Sequence, residues 1–130
     1  MCFRLLVVSH TVEQTRHAPD AQLLAHAQSL LAEAHASGTT TIECKSGYGL
    51  TVEDERRSLE IASKITEETT FLGAHVYPVE YKDSPKDYVE LVCGEMLDAV
   101  LPHSKWIDVF CDKGAFSVSD ARTILKAGMA

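Results

Sequence analysis

Three times along the chain, a short β-branched or apolar run is followed by a loop and then by an amphipathic segment with its own start signal. The strand starts lie roughly 30 to 36 residues apart. Strands separated by whole helices run parallel, because a crossover of that length returns each strand to the same end of the sheet through a right-handed connection. Parallel sheets gather ligands at the carboxyl ends of their strands, so the loops that follow the three strands share one rim. The expected class is α/β, with about three βα units.

The first unit has a strand over residues 39–45 that stops at Lys45-Ser46-Gly47-Tyr48-Gly49-Leu50. Two glycines there free the backbone for a tight turn and present one phenol between them. Thr51 opens the following helix with Asp54 three residues on, an acidic variant of the capping box. Ser58, Ile61, Ala62 and Ile65 form its apolar side, and Glu53 with Arg57 and Glu60 with Lys64 are supportive i,i+4 pairs. The second unit has a strand over 70–75, a loop over 76–83 containing Pro78, and a helix capped by Ser84 with Pro85 in its first turn. Tyr88, Leu91, Val92, Met96, Ala99 and Val100 face inward from that helix. The third unit has a strand over 106–111, a loop over 112–116 and a helix capped by Ser117 with Asp120 three residues later. Ahead of these units, residues 1–10 read as a short strand or a segment without a partner, and 11–19 as a connection. From Asp20, Leu23, Leu24, Ala27, Leu30, Leu31 and Ala34 recur at helical spacing until Gly38.

Period-two alternation sorts each strand into faces. Ile42 and Cys44 lie opposite Glu43 and Lys45; Leu72 and Ala74 lie opposite Gly73 and His75; Ile107, Val109 and Cys111 lie opposite Asp108 and Asp112. An open sheet covered by helices on both sides would be apolar on both faces. One apolar and one polar face is instead the pattern of a barrel wall, with the polar residues pointing into the mouth. A closed barrel takes roughly 250 residues. At 130 residues, the chain accounts for part of a (β/α)8 TIM-type barrel. Glu43, Lys45, Asp108 and Asp112 either serve that mouth or neutralise one another, for example Lys45 with Glu43 or Asp112. His75, at a strand's carboxyl end, is placed either for chemistry or for a structural hydrogen bond.

A net charge of -7 and a pI near 5.3 argue against nucleic acid as a partner, which needs a concentrated basic face. The cysteines (Cys2, Cys44, Cys93, Cys111) form no C-x-x-C pair and read as reduced and buried, placing the chain in the cytoplasm. The run Leu5-Leu6-Val7-Val8 is too short for a secretory signal or a membrane span. No H-x-H or H-x-x-x-H pattern occurs, so no metal site is expected within the chain.

Three fragments together resemble the imidazolonepropionase family of metal-dependent amidohydrolases: Thr41-Ile-Glu-Cys-Lys-Ser-Gly-Tyr-Gly-Leu50, Thr70-Phe-Leu-Gly-Ala-His75 with Pro78, and Asp108-Val-Phe-Cys-Asp-Lys-Gly-Ala-Phe-Ser117. Thr11-Val-Glu-Gln-Thr-Arg16 is similar to that family's lead-in. The resemblance implies a (β/α)8 barrel beside a small β-sandwich, a homo-oligomer, and a zinc or iron ion that activates water. The small-molecule substrate would be 4-imidazolone-5-propanoate, opened to N-formimidoyl-L-glutamate in histidine degradation. It also implies that Tyr48 and His75 contact substrate. The family's metal ligands are an H-x-H pair one strand earlier, a histidine one strand later and an aspartate near the barrel's end, and none has a counterpart in this sequence. The expectation is therefore a partial amidohydrolase barrel over residues 11–130, preceded by an unmatched segment over 1–10: an internal or truncated piece, inactive alone for want of metal ligands. Two other readings remain open. One is a small α/β module holding an anion on the loops 46–50 and 76–83 with help from helix N-termini. The other is a non-catalytic partner of a full-length enzyme.

Overall fold

The computed structural model describes the backbone of residues 3–130 and the side chains of residues 10–130. Met1, Cys2 and the side chains of Leu5 to Val8 lie outside the described residues. The elements in chain order are α1 (Phe3–His17), α2 (Asp20–Ala36), β1 (Glu43–Lys45), α3 (Val52–Ala62), β2 (Glu68–Ala74), α4 (Pro85–Leu91), a π-helical turn Val92–Met96, α5 (Leu97–Val100), β3 (Trp106–Val109) and α6 (Val118–Ala127). The three strands form one parallel sheet in the order β1-β2-β3. The three βα units and their parallel pairing are as the sequence pattern predicts.

The start of the chain differs from expectation. Residues 3–17 form a helix, where a strand and a connection were expected. A four-residue apolar run does not by itself distinguish helix from strand. Side chains on residues 10–17 meet at the i,i+4 spacing of a helix: His10 Nε2 lies 3.0 Å from Gln14 Nε2, and His17 Nδ1 lies 2.8 Å from the Glu13 carbonyl oxygen. Arg16 and His17 lie in its last turn, where cations favour the helix dipole. The connection shrinks to Ala18 and Pro19, and α2 then runs to Ala36, with Ser37 as its C-cap and Gly38 just beyond it at a φ of +92°.

The core lies on one side of the sheet. Leu59 of α3, Phe71 and Ala74 of β2, Tyr88 of α4, Val92 and Met96 of the π-turn, Val100 of α5 and Ile124 of α6 form one buried cluster. Fully burying a large apolar side chain contributes roughly 1.5–3 kcal/mol. Ile107 and Val109 pack against this cluster, as the alternation of β3 requires. In β2 the alternation breaks. Phe71 and Ala74 are both core residues, while Leu72 is half-buried and Gly73 sits so close to the Phe71 ring and Met96 Sδ that an added Cβ would lie 2.5 and 2.8 Å from them. The expected pairing of Leu72 with Ala74 against Gly73 fails because a register shift between Phe71 and Ala74 inserts an irregularity in the ladder.

The helices carry smaller corrections. On α3 the buried face is Glu55, Leu59, Ile61 and Ala62; Ser58 is half-buried, and Ile65 lies beyond the helix. Glu53 pairs with Arg56, which also holds Glu60, whereas Arg57 turns to Asp54 and Asp20. The expected Glu60–Lys64 pair is present at 3.9 Å. Gly94, at φ -114° and ψ -107°, interrupts the fourth helical segment, and the extra residue of the π-turn brings Leu97 into the core in place of Ala99. Cys44 and Cys93 are half-buried and Cys111 is exposed, so the expected burial does not hold, although all three are free thiols. No helix among the described residues is long and apolar enough to cross a membrane.

Candidate functional site

The polar face of the sheet is built from short strands whose charged residues pair across it. Lys45 Nζ lies 2.8 Å from Asp108 and 3.2 Å from Glu43, and Glu43 also accepts the Thr70 hydroxyl. The Thr70 hydroxyl and Lys45 hold the Glu43 carboxyl below its ordinary range. Burial acts to raise Asp108, but the bonds from Lys45 and from the Val109 N–H outweigh it and the carboxyl ends below its usual value. The neutralisation expected for Lys45 is therefore with Glu43 and Asp108. Asp112 instead accepts the N–H of Lys113 at 2.7 Å.

Each strand end contributes one ring to the rim. Tyr48 follows β1, His75 follows β2 and Phe110 follows β3. The Tyr48 and His75 rings meet edge-on at 5.0 Å between centroids, and His75 and Phe110 do so at 5.8 Å. His75 Nδ1 lies 2.9 Å from the carbonyl oxygen of Gly47. A carbonyl can only accept, so Nδ1 carries a proton, and in the neutral form of the ring Nε2 is then the acceptor. The two residues singled out from the sequence are thus brought together. Phe110 was legible too, since alternation places it with Asp108 and Asp112.

The turn that presents Tyr48 is held from below by a residue the sequence pattern does not single out. Glu55, fully buried in the first turns of α3, accepts the N–H groups of Gly47, Gly49 and Leu50 at 3.0, 2.9 and 2.7 Å. Burial pushes its carboxyl up, against the opposing pull of Leu50, Ser46, Gly49 and Gly47. Its signal is helical spacing: Glu55 shares a face with Leu59 and Ala62, an acid on an apolar stripe. From the other side, Arg16 Nε donates to the Gly49 carbonyl at 2.7 Å and its Nη1 to Glu80 at 2.7 Å. Gly47 has φ +110° and Leu50 φ +57°, so the turn passes twice through the left-handed region.

These bonds bear on the anion-module reading. The turn's amides already point at a carboxylate, so they are not free for an external anion. A cavity of about 420 Å³ lies between α1 and the loop after β2, lined among others by Val12, Arg16, Leu50, Tyr77 and Pro78; the three rings do not line it. Among the described residues, no three His, Cys, Asp or Glu side chains converge as metal ligands. His75 leaves Nε2 open, but a single imidazole beside Glu43 and Asp108 carboxylates that close on Lys45 is not a ligand set, so the described residues of the rim do not fit a zinc or iron ion.

No protein-family model matches the chain. It is 61% identical over 120 residues to the imidazolonepropionase of Mycolicibacterium smegmatis, covering 92% of this chain and 30% of that protein. It is 59% identical over 120 residues to that of Salinispora tropica, covering 92% and 31%, and 53% identical over 123 residues to that of Rhodococcus jostii, covering 95% and 30%. The resemblance drawn from the three motifs is borne out. The chain spans about 30% of the length of the curated relatives it matches.

Proposed function

We propose, from a chain that matches imidazolonepropionases over 92% of its length, that it supplies part of the substrate-contacting rim of such an enzyme, with Tyr48 and His75 as the contacting groups. The observation that carries this reading is the edge-on meeting of Tyr48 and His75 at 5.0 Å at adjoining strand ends. The substrate would be 4-imidazolone-5-propanoate, and the reaction hydrolytic opening of its ring. A phenol donates to a carbonyl oxygen or to charge growing on it, and a neutral imidazole protonated at Nδ1 accepts a ring N–H through Nε2. Phe110 also meets the imidazole at near right angles, 5.8 Å between centroids. The described residues offer no ligand set for the zinc or iron that the resemblance implies, so the proposal is confined to substrate contact, and the 130-residue chain alone is inactive.

The sheet is proposed to be a wall of a (β/α)8 barrel. Consecutive strand order, a single apolar core on the helix side, and Glu43, Lys45, Thr70 and Asp108 on the other side support this. The test is a chimera in which this chain replaces the matched segment of the Mycolicibacterium smegmatis relative, assayed by loss of imidazolone absorbance. Tyr48→Phe and His75→Ala in the chimera should each lower kcat/KM by about 10²-fold or more with little change in melting temperature. Normal turnover with a large drop in melting temperature would return both residues to a structural role. Ring opening by the isolated chain would sink the claim of inactivity.

A further inference from the structure

We infer that Glu55 is a positioning residue for His75: by holding the N–H groups of the Gly47–Leu50 turn, it fixes the Gly47 carbonyl that selects the imidazole's Nδ1–H tautomer. The link to substrate handling rests on the function proposed above; the tautomer link does not. Gly47 is held on both sides of its α-carbon, its N–H by Glu55 Oε2 at 3.0 Å and its C=O by His75 Nδ1 at 2.9 Å. Gly49 is held likewise, its N–H by Glu55 Oε1 at 2.9 Å and its C=O by Arg16 Nε at 2.7 Å. Tyr48 therefore stands between two peptide units that cannot rotate independently. The turn also lacks room to slide. A Cβ on Gly47 would lie 2.8 Å from the Leu72 carbonyl oxygen and 3.2 Å from the His75 Cβ, and one on Gly49 would lie 2.6 Å from the Asp54 backbone.

A buried carboxylate is costly unless its lone pairs are filled, and a buried N–H is costly unless it is bonded. Here each answers the other, so the geometry is over-determined at Gly47. A glutamine at position 55 keeps one acceptor oxygen but turns an amide group, itself a donor, toward amides that also donate. At least one of the three bonds is then lost. With Gly47 freed, its carbonyl no longer dictates which imidazole nitrogen is protonated, and both tautomers appear.

The test is NMR on the 15N-labelled 130-residue chain, at a pH where the imidazole is neutral. In the unsubstituted chain, His75 should give a pyrrole-type Nδ1 and a pyridine-type Nε2, and the Gly47, Gly49 and Leu50 amides should all be protected from exchange. A pyridine-type Nδ1, or free exchange at any of the three amides, overturns the inference, whatever becomes of the variants. In Glu55→Gln, the Gly47 amide should exchange at least about tenfold faster, and both His75 nitrogens should move toward intermediate shifts. A folded Glu55→Gln chain that keeps the single tautomer overturns it as well. Leu59→Ala, one turn along the same face of α3 and without a bond to the turn, should lower stability yet leave the tautomer intact. A Leu59→Ala chain with mixed tautomers would show that any weakening of α3 suffices, and would overturn a specific role for Glu55. Should the tautomer respond while His75→Ala turns over normally in the chimera, the substrate reading fails and the positioning of His75 stands.

Discussion

Two glycines show how much a single residue depends on its surroundings. Gly38 and Gly47 both have φ in the left-handed region, +92° and +110°, but a Cβ on Gly38 would meet nothing within 4 Å, whereas one on Gly47 would meet a carbonyl oxygen at 2.8 Å. Gly38→Ala should therefore cost about 1 kcal/mol, the backbone term alone. Gly47→Ala should cost more, on the order of 2–4 kcal/mol, because the strand end must also shift. Urea midpoints with unchanged slope would measure both, and equal losses would mean that the turn is looser than its bonds imply. The turn was visible in the sequence as a pair of glycines around a tyrosine. The acid beneath it was not, because Glu55 counts as polar in any hydropathy pattern, and only its bonds to three amides explain why it is buried.

At the scale of the element, capping separates helices that look alike in sequence. Ser84 and Ser117 both precede a first turn with an aspartate three residues on. Ser117 accepts the Asp120 N–H and Asp120 accepts the Ser117 N–H, a complete capping box, but the Ser84 side chain makes no cap bond. Ser117→Ala should cost about 1 kcal/mol and Ser84→Ala only a few tenths, measured as shifts in thermal midpoint. Helix positions were legible because their spacing and start signals are local. The length of β1, the irregularity in β2 and the helical state of residues 3–17 were not. Strand ends are fixed by pairing partners distant in sequence, a bulge by the neighbouring strand's register, and a short apolar run by what it packs on. The tyrosine–histidine contact was half legible: shared strand-end position placed both residues on one rim, but only the turn geometry brings the rings to 5.0 Å.

For the whole molecule, carboxylates of opposite behaviour set the response to acid. Lys105 and the Trp106 indole hold Glu68 down, the Arg16 guanidinium holds Glu80 down, and Glu43 and Asp108 are lowered across the sheet face. For these four the folded state releases its proton more readily than the unfolded chain, whose carboxyls titrate near about 4. Their stabilisation is thus present above that pH and lost as pH falls through their lower folded values. Glu55 works in the opposite sense. Burial raises it, so the folded state takes up its proton first, and its contribution is fullest below the unfolded value and lost as pH rises through its own raised one. Going down from neutrality, stability should first rise as Glu55 protonates and then fall as the surface carboxylates do, with the maximum in weak acid. The two limbs also differ in salt sensitivity. Glu43, Asp108 and Glu80 are nearly half exposed, so added salt should flatten the acid fall, while the buried Glu55 limb should hardly change. Urea midpoints from about pH 7 to about pH 3, at low and high ionic strength, would resolve the two limbs. A curve that only descends from neutral pH would mean that the amides of the turn hold Glu55 ionised against its burial.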